Sequence, residues 1–210
     1  MLSPRRAVLL LMLLCAMGAH EAHAQPRRAT ERFDDTFRKY TKRYFGPAVD
    51  WRVFKAQGLA ESNLDPAAKS WVGARGVMQL MPSTYNQIAS TNPEFGWIDN
   101  PDMNIAAGIA YDRQLWLRWE GDSVGPDIRD FVFASYNAGR RTLLNAQTSA
   151  RRSGLDPRRW SSIEAIAPTV KRWRQVETLD YVRRIGGFYG RLDDQGRVIV
   201  DSVSARGLRR

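Results

Sequence analysis

Glu61-Ser62-Asn63-Leu64-Asp65-Pro66, followed by Ser70-Trp71-Val72-Gly73-Ala74-Arg75-Gly76-Val77-Met78-Gln79-Leu80-Met81-Pro82-Ser83-Thr84, is the stretch that decides how the chain reads. Glu61 closes a helical stripe begun by Trp51, Phe54 and Gly58, where an apolar residue is the ordinary occupant. It also stands near the helix C-terminus, where the partial negative charge of the peptide dipoles disfavours a carboxylate. Burial and that charge both raise a carboxyl pKa. A carboxylic acid that keeps its proton at neutral pH is what general-acid cleavage of a glycosidic bond requires. Taken alone, Glu61 reads better as an exposed helix-end residue, because Glu is seldom buried unpaired. The residues after it weigh against that. Gly58 leaves room beside the carboxyl, Gly73 and Gly76 allow close backbone approach, and Gln79 is an amide among Met78, Leu80 and Met81 that needs partners if buried. A sugar ring offers such partners, and methionines form an adaptable apolar wall. Met78 reads as core.

Working outward, the chain is a series of helices joined by polar loops. Phe33, Phe37, Tyr40 and Tyr44 recur at helical spacing; Pro47 breaks the chain and Asp50 is the expected cap of the helix that ends at Ser62-Asn63. Pro82 opens a helix to about Ala89, and 90–100 is a loop. Asn100-Pro101 is a cap and first-turn proline for a long helix with Ile105, Gly108, Tyr111, Leu115 and Trp119 on one face, ended by Gly121. A helix through Ile128, Phe131 and Val132 stops at Gly139, 140–152 reads as an exposed helix, and Leu179, Val182, Ile185 and Phe188 mark a last helix from about Glu177 to Arg191. Arg197 to Asp201 has β-branched character after the turn-like Asp193-Asp194-Gln195-Gly196, which suggests a short hairpin or an appended strand, and 204–210 reads as disordered. The class is mainly α, with seven Trp and eight Phe to fill one core.

The N-terminus reads as an export signal. Arg5-Arg6, the apolar run Ala7–Ala16 and the small-x-small Ala22-His23-Ala24 place cleavage before Gln25. The run falls short of the roughly 20 residues of a membrane span. Cys15 lies inside it, away from any lipidation pattern, and ordinary export is simpler than the twin-arginine route. The expected division is 1–24 signal peptide, 25–192 catalytic domain and 193–210 C-terminal tail. Removing 1–24 removes both His and the single Cys. A Ser-His-Asp or Cys-His mechanism is then excluded, as are a typical zinc site and a disulfide. Acid–base work falls to Asp, Glu, Lys and Tyr. The full chain carries +10 and the processed chain +9, a balance that favours anionic partners or a solvated basic surface. Export argues against nucleic acid; the free carboxylates of peptidoglycan stem peptides fit.

The segment from Glu61 to Thr84 resembles the soluble lytic transglycosylase (SLT) family, the goose-type-lysozyme-like catalytic domain, whose pattern runs Glu-Ser, Pro, Ser-x-x-Gly-Ala-x-Gly-Leu-Met-Gln-x-Met-Pro-x-Thr. Here Val77 stands where Leu is usual. Asn104-Ile105-Ala106-Ala107-Gly108 with Tyr111, Ala134-Ser135-Tyr136-Asn137-Ala138-Gly139 with Ser135 where Ala is usual, and Glu177-Thr178 with Tyr181-Val182 follow in the family's order. The match spans about residues 45 to 190. The resemblance implies a mainly α, lysozyme-like helical domain with Glu61 as the catalytic acid and then base. Ser70, Gln79, Met81 and Thr84 would line the glycan groove, and Tyr136 would stand near Glu61. Asn137 would hold that corner or serve structure alone, and Glu177 would contact the glycan or its peptide from the far side. No cofactor or metal is implied. The export signal and the resemblance imply a periplasmic setting, peripheral to the membrane at most. The implied partner is the peptidoglycan glycan strand, with a secretion-system, flagellar or wall-synthesis protein as a further candidate.

A retaining glycosidase needs a second carboxylate about 5–5.5 Å away. Asp65, before Pro66, reads as a turn residue, and Glu177 has no fixed place in sequence. Without a second carboxylate the sugar must supply its own nucleophile. The resemblance implies that it does so, leaving a 1,6-anhydro-MurNAc end after breaking the MurNAc–GlcNAc β-1,4 bond. The rivals are a hydrolytic muramidase of the same fold and a non-catalytic peptidoglycan-binding assembly factor.

Overall fold

The computed structural model describes residues 29–122 and 124–199. The expected export signal, its cleavage point, Cys15, both histidines and the chain beyond 199 lie outside the described residues. The described residues form eight α-helices: α1 (Asp34–Phe45), α2 (Arg52–Ser62), α3 (Pro82–Ala89), α4 (Pro101–Gly121), α5 (Ile128–Ala138), α6 (Arg140–Arg152), α7 (Trp160–Ile166) and α8 (Gln175–Tyr189). The architecture is mainly α, as expected. No helix among the described residues is long and apolar enough to cross a membrane.

The long helix α4 is the axis of the fold. Asn100 caps it, accepting from the backbone N–H groups of Asp102 (3.0 Å) and Met103 (3.2 Å). Pro101 takes the first turn, where its missing N–H costs nothing. Ala106, Ala107, Gly108 and Ala110 are buried, and these small side chains let neighbours approach. A Cβ at Gly108 would stand 2.8 Å from Met78. α1, α3 and α5 pack against α4, while α8 lies along α2 and also touches α5. The core holds Phe37, Ile105, Leu115, Trp119, Phe131 and Tyr181, all essentially without solvent contact. Inside it the Trp119 indole N–H donates to Ser135 Oγ at 3.0 Å. A buried indole nitrogen needs such an acceptor, which gives Ser135, on α5, a structural task.

The structure departs from the sequence reading at four places. α7 was not foreseen; its first N–H, at Trp160, is held by Asp127 Oδ2 at 2.7 Å from a distant turn. α6 is not simply exposed, since Leu143, Ala146, Gln147 and Ala150 bury one face. On α4 the position turned fully inward is Asp112, while Tyr111 keeps partial exposure. The space expected at Gly58 is filled: a Cβ there would lie 2.9 Å from Leu64 Cδ2 and 3.1 Å from Phe37 Cζ. Gly58 serves close packing under α2 and not access to Glu61.

At the C-terminal end a single antiparallel bridge joins Leu192 to Val198, so the suggested hairpin is a tight turn closed by one bridge. The turn is docked. Gly196, at φ 79°, faces the Trp51 ring, and a Cβ there would fall 2.1 Å from it. The fully buried Lys55 donates to Gly196 O (2.6 Å) and Asp34 Oδ1 (2.5 Å), while Arg38 covers the Trp51 ring at 4.0 Å.

Candidate active site

The segment 63–81 is shaped by left-handed residues and by two polar side chains that tie it down. α2 ends at Asn63 (φ 56°), whose N–H reaches Leu59 O at 3.0 Å, and Leu64 N–H reaches Gly58 O at 3.4 Å. Ser62 Oγ donates to Val77 O at 2.8 Å and fastens the loop to the helix that carries Glu61. From α4, Asn104 Oδ1 accepts from Met78 N–H (2.8 Å) while its amide nitrogen donates to Arg75 O (3.0 Å) and Ile98 O (3.2 Å). The Asn104 side chain fills the place a Cβ on Gly76 would need, at 2.7 Å, and Gly76 has φ 74°. These two requirements explain Gly76 and Asn104 together.

Glu61, in the last turn of α2, is largely enclosed but keeps an edge open to solvent. Its Oε1 accepts a hydrogen bond from Tyr181 Oη at 2.6 Å, across from α8. Burial pushes the carboxyl up to about 7; the Tyr181 hydrogen bond and the Arg184 charge work the other way. An acid poised near neutrality can both give and take a proton in one turnover. Tyr136, on α5, lies within electrostatic reach of Glu61, its hydroxyl pushed far up by burial and by that neighbour. It donates to Met78 O at 2.8 Å and packs against Tyr111, ring centroids 5.3 Å apart. A second carboxyl, Asp112, also interacts electrostatically with Glu61, but it has no exposed surface and cannot meet a substrate.

The other expected residues divide. Ser70 Oγ accepts from Ala74 N–H at 3.0 Å and holds the turn that displays Trp71, 90% exposed. Gln79, at φ 46°, donates its amide to Gly76 O (2.9 Å) and Ala68 O (3.2 Å), so the partners it needed are backbone carbonyls of its own loop. Met81 is exposed just before α3, and Thr84 is partly exposed in its first turn. Asn137 and Glu177 belong to a separate polar cleft of about 240 Å³ with Thr142, Arg172, Trp173 and Thr178. There Trp173 Nε1 donates to Thr178 Oγ1 (3.0 Å), which donates to Asn137 Oδ1 (2.8 Å). Glu177 is exposed and paired with Arg174 at 2.7 Å.

Sequence reasoning gave no role to Tyr181, Arg184, Asp112 or Gln57. Tyr181 stood in a quoted motif. Gln57 lies one turn before Glu61 on the same helix face, and Asp112 continues the buried stripe of Ile105, Gly108, Leu115 and Trp119; a carboxylate on that stripe was the available signal.

The family model described as "Transglycosylase SLT domain" matches residues 35–156. The membrane-bound lytic murein transglycosylase F of Stutzerimonas stutzeri (strain A1501) is 30% identical over 169 residues, 80% of this chain and 33% of that protein. The protein of the same name from Desulfosudis oleivorans is 33% identical over 152 residues, 67% of this chain and 32% of its own. The chain therefore spans about a third of the length of the curated relatives it matches. Among solved structures, the 70 kDa soluble lytic transglycosylase from Escherichia coli superposes with a TM-score of 0.52 at 24% identity, over 73% of this chain and 22% of that one. An inactive mutant of the lytic transglycosylase Slt from Pseudomonas aeruginosa gives 0.54 at 23% identity, over 80% and 25%. That likeness is one of fold, and it agrees with the expected lysozyme-like architecture.

Proposed function

The chain belongs to the transglycosylase SLT family, and from that premise we propose that it is a peptidoglycan lytic transglycosylase with Glu61 as its acid and base. The observation that carries the reading is the Glu61 carboxyl itself: enclosed, raised to about 7, open along one edge and held by the Tyr181 hydroxyl at 2.6 Å. The protonated carboxyl gives its proton to the glycosidic oxygen as the bond from the muramic acid anomeric carbon breaks. The N-acetyl oxygen of the same sugar supports that carbon. The sugar's 6-hydroxyl then attacks it, and the Glu61 carboxylate takes the hydroxyl proton. One C–O bond breaks and one forms, the proton returns to Glu61, and no water is consumed. The sealed position of Asp112 supports a route with no second carboxylate at the sugar. Tyr136 and the 70–84 segment, with Ser70, Gln79, Met81 and Thr84, border the glycan, and the cleft of Asn137 and Glu177 takes its more distant part. The enzyme acts in the periplasm on glycan strands, peripheral to the membrane at most. A secretion-system, flagellar or wall-synthesis protein would direct it to its place in the wall.

Digestion of purified sacculi followed by mass spectrometry of the muropeptides tests this. Fragment ends lighter by one water than hydrolytic ends are the expected product. Glu61→Gln is expected to remain folded by circular dichroism and to lose at least about 10²–10⁴-fold in rate. Ends carrying the added water would make the protein a muramidase, and full activity in Glu61→Gln would remove Glu61 from the chemistry.

A further inference from the structure

Behind the Glu61 carboxyl lies a pair that the reaction does not touch. Gln57 on α2 and Asp112 on α4 are both fully buried. Gln57 Nε2 donates to Asp112 Oδ1 at 3.3 Å. Gln57 Oε1 and Asp112 Oδ2 are also buried, and neither finds a donor among the described residues. Both are acceptors, and a buried acceptor left unmet is costly, an ionised one more so. A single proton on Asp112 would satisfy both oxygens. The Oδ2–H would donate to Gln57 Oε1 and complete a cyclic acid–amide pair whose other half is the observed bond.

We propose that Asp112, held as the neutral acid by Gln57, is a positioning residue for Glu61: the pair keeps a negative charge away from the interior side of that carboxyl and so leaves it able to release its proton to substrate. The surroundings agree. Burial pushes the Asp112 carboxyl well above the ordinary carboxylate range, and Glu61 pushes it further; the Gln57 hydrogen bond opposes them only in part. The groups facing the centre are Gln57 and Glu61 from α2, Tyr111 from α4, Tyr136 from α5, and Tyr181 with Arg184 from α8. Tyr111, Tyr136 and Tyr181 all have hydroxyls held in the protonated state by burial. Arg184 is the one cation acting on Glu61 in this set. An ionised Asp112 would add its repulsion to Glu61 with no cation of its own, and Glu61 would bind its proton too tightly to pass it on. The inference rests on the acid–base role proposed for Glu61.

The test has a spectroscopic and a kinetic arm on the full chain. In Glu61→Gln, infrared spectra at pH 8 are expected to retain a protonated-carboxyl C=O band that disappears when Asp112→Asn is added. Absence of that band at pH 8 would overturn the proposal while leaving the role of Glu61 intact. In the kinetic arm, Gln57→Glu replaces the amide by a second carboxyl that cannot share one proton without leaving a charge. The alkaline limb of its pH–rate profile is expected to move up by about one pH unit or more. Asp112→Asn keeps the neutral hydrogen-bonding shape, and its limb is expected to stay in place. A merely structural pair would change rates at all pH values and move neither limb, and a downward move in Asp112→Asn would show that Asp112 is charged; either result overturns the proposal. Wild-type activity in Glu61→Gln would instead remove the reading on which it rests.

Discussion

At the scale of the residue, the Glu61 carboxyl is set by opposed influences that differ in origin. Enclosure between α2 and α8 disfavours its charge; the Tyr181 hydroxyl, 2.6 Å away, and Arg184 favour it. Tyr181 is fully enclosed, and burial together with Glu61 keeps its hydroxyl a donor far above neutral pH. In Tyr181→Phe the carboxylate loses its hydrogen bond while the burial stays. The Glu61 pKa should therefore rise above about 7, and the alkaline limb of activity should move upward with it. A hydrogen bond to a charged group contributes roughly 1.5–3 kcal/mol, so the rate at neutral pH should fall about 10- to 150-fold. Initial rates on sacculi across pH 5–9 would show both effects; a lower rate with an unmoved limb would leave Tyr181 only a packing role. In the sequence, the odd position of Glu61 on an apolar stripe was legible because it is a local property. Its hydrogen-bond partner was not, because Tyr181 is 120 residues away and no spacing rule joins them.

At the scale of the element, helices announced by their own chemistry could be read directly. α4 carries its Asn100 cap and Pro101, α3 its opening Pro82, and α2 an αL stop at Asn63. α7, with seven residues and its first N–H satisfied by Asp127 from another segment, carries too little periodicity to be seen alone. The chain after α8 shows the same limit. Its β-branched pattern was visible, whereas its docking depends on Trp51, Lys55 and Arg38 elsewhere in the chain. That docking makes Gly196 a strict requirement, since φ 79° and the 2.1 Å approach to Trp51 both exclude a side chain. In Gly196→Ala, the left-handed backbone alone costs about 1–3 kcal/mol, and the clash forces the turn away from Trp51, stripping the buried Lys55 of its Gly196 acceptor. Calorimetry should record a Tm several degrees lower, and limited proteolysis should trim the chain after Leu192 more readily. An unchanged Tm would mean that the docked turn adds nothing to the fold.

At the scale of the whole molecule, the site leaves its mark on stability. The folded chain holds the Glu61 proton up to about pH 7, while the ordinary value for Glu is 4.5. Between those values the folded state binds a proton that the unfolded chain has released, so stability is full below about 4.5 and falls as pH rises towards 7. At 1.36 kcal/mol per pH unit the loss is on the order of 3 kcal/mol. Asp112, raised well above its ordinary value by burial, acts with the same sign. The opposing groups lie at the acid end. Asp50 is lowered because its burial is outweighed by the hydrogen bonds and charge of Arg52 together with the Tyr189 hydrogen bond, and Asp193 because the Arg197 backbone and side chain hold it. Their contributions are present above the ordinary carboxylate value and are lost as pH falls through their folded values. Stability should therefore peak in mildly acidic solution and decline towards neutrality, where the proposed chemistry needs the enclosed acid. Glu61→Gln keeps an acceptor for Tyr181 and removes the proton to be lost. Its Tm should match that of the wild type near pH 4 and exceed it by roughly 6–12 °C at pH 8. Thermal unfolding of both proteins across that range measures the gap directly, and coincident curves at pH 8 would mean that the fold does not hold the Glu61 proton at all.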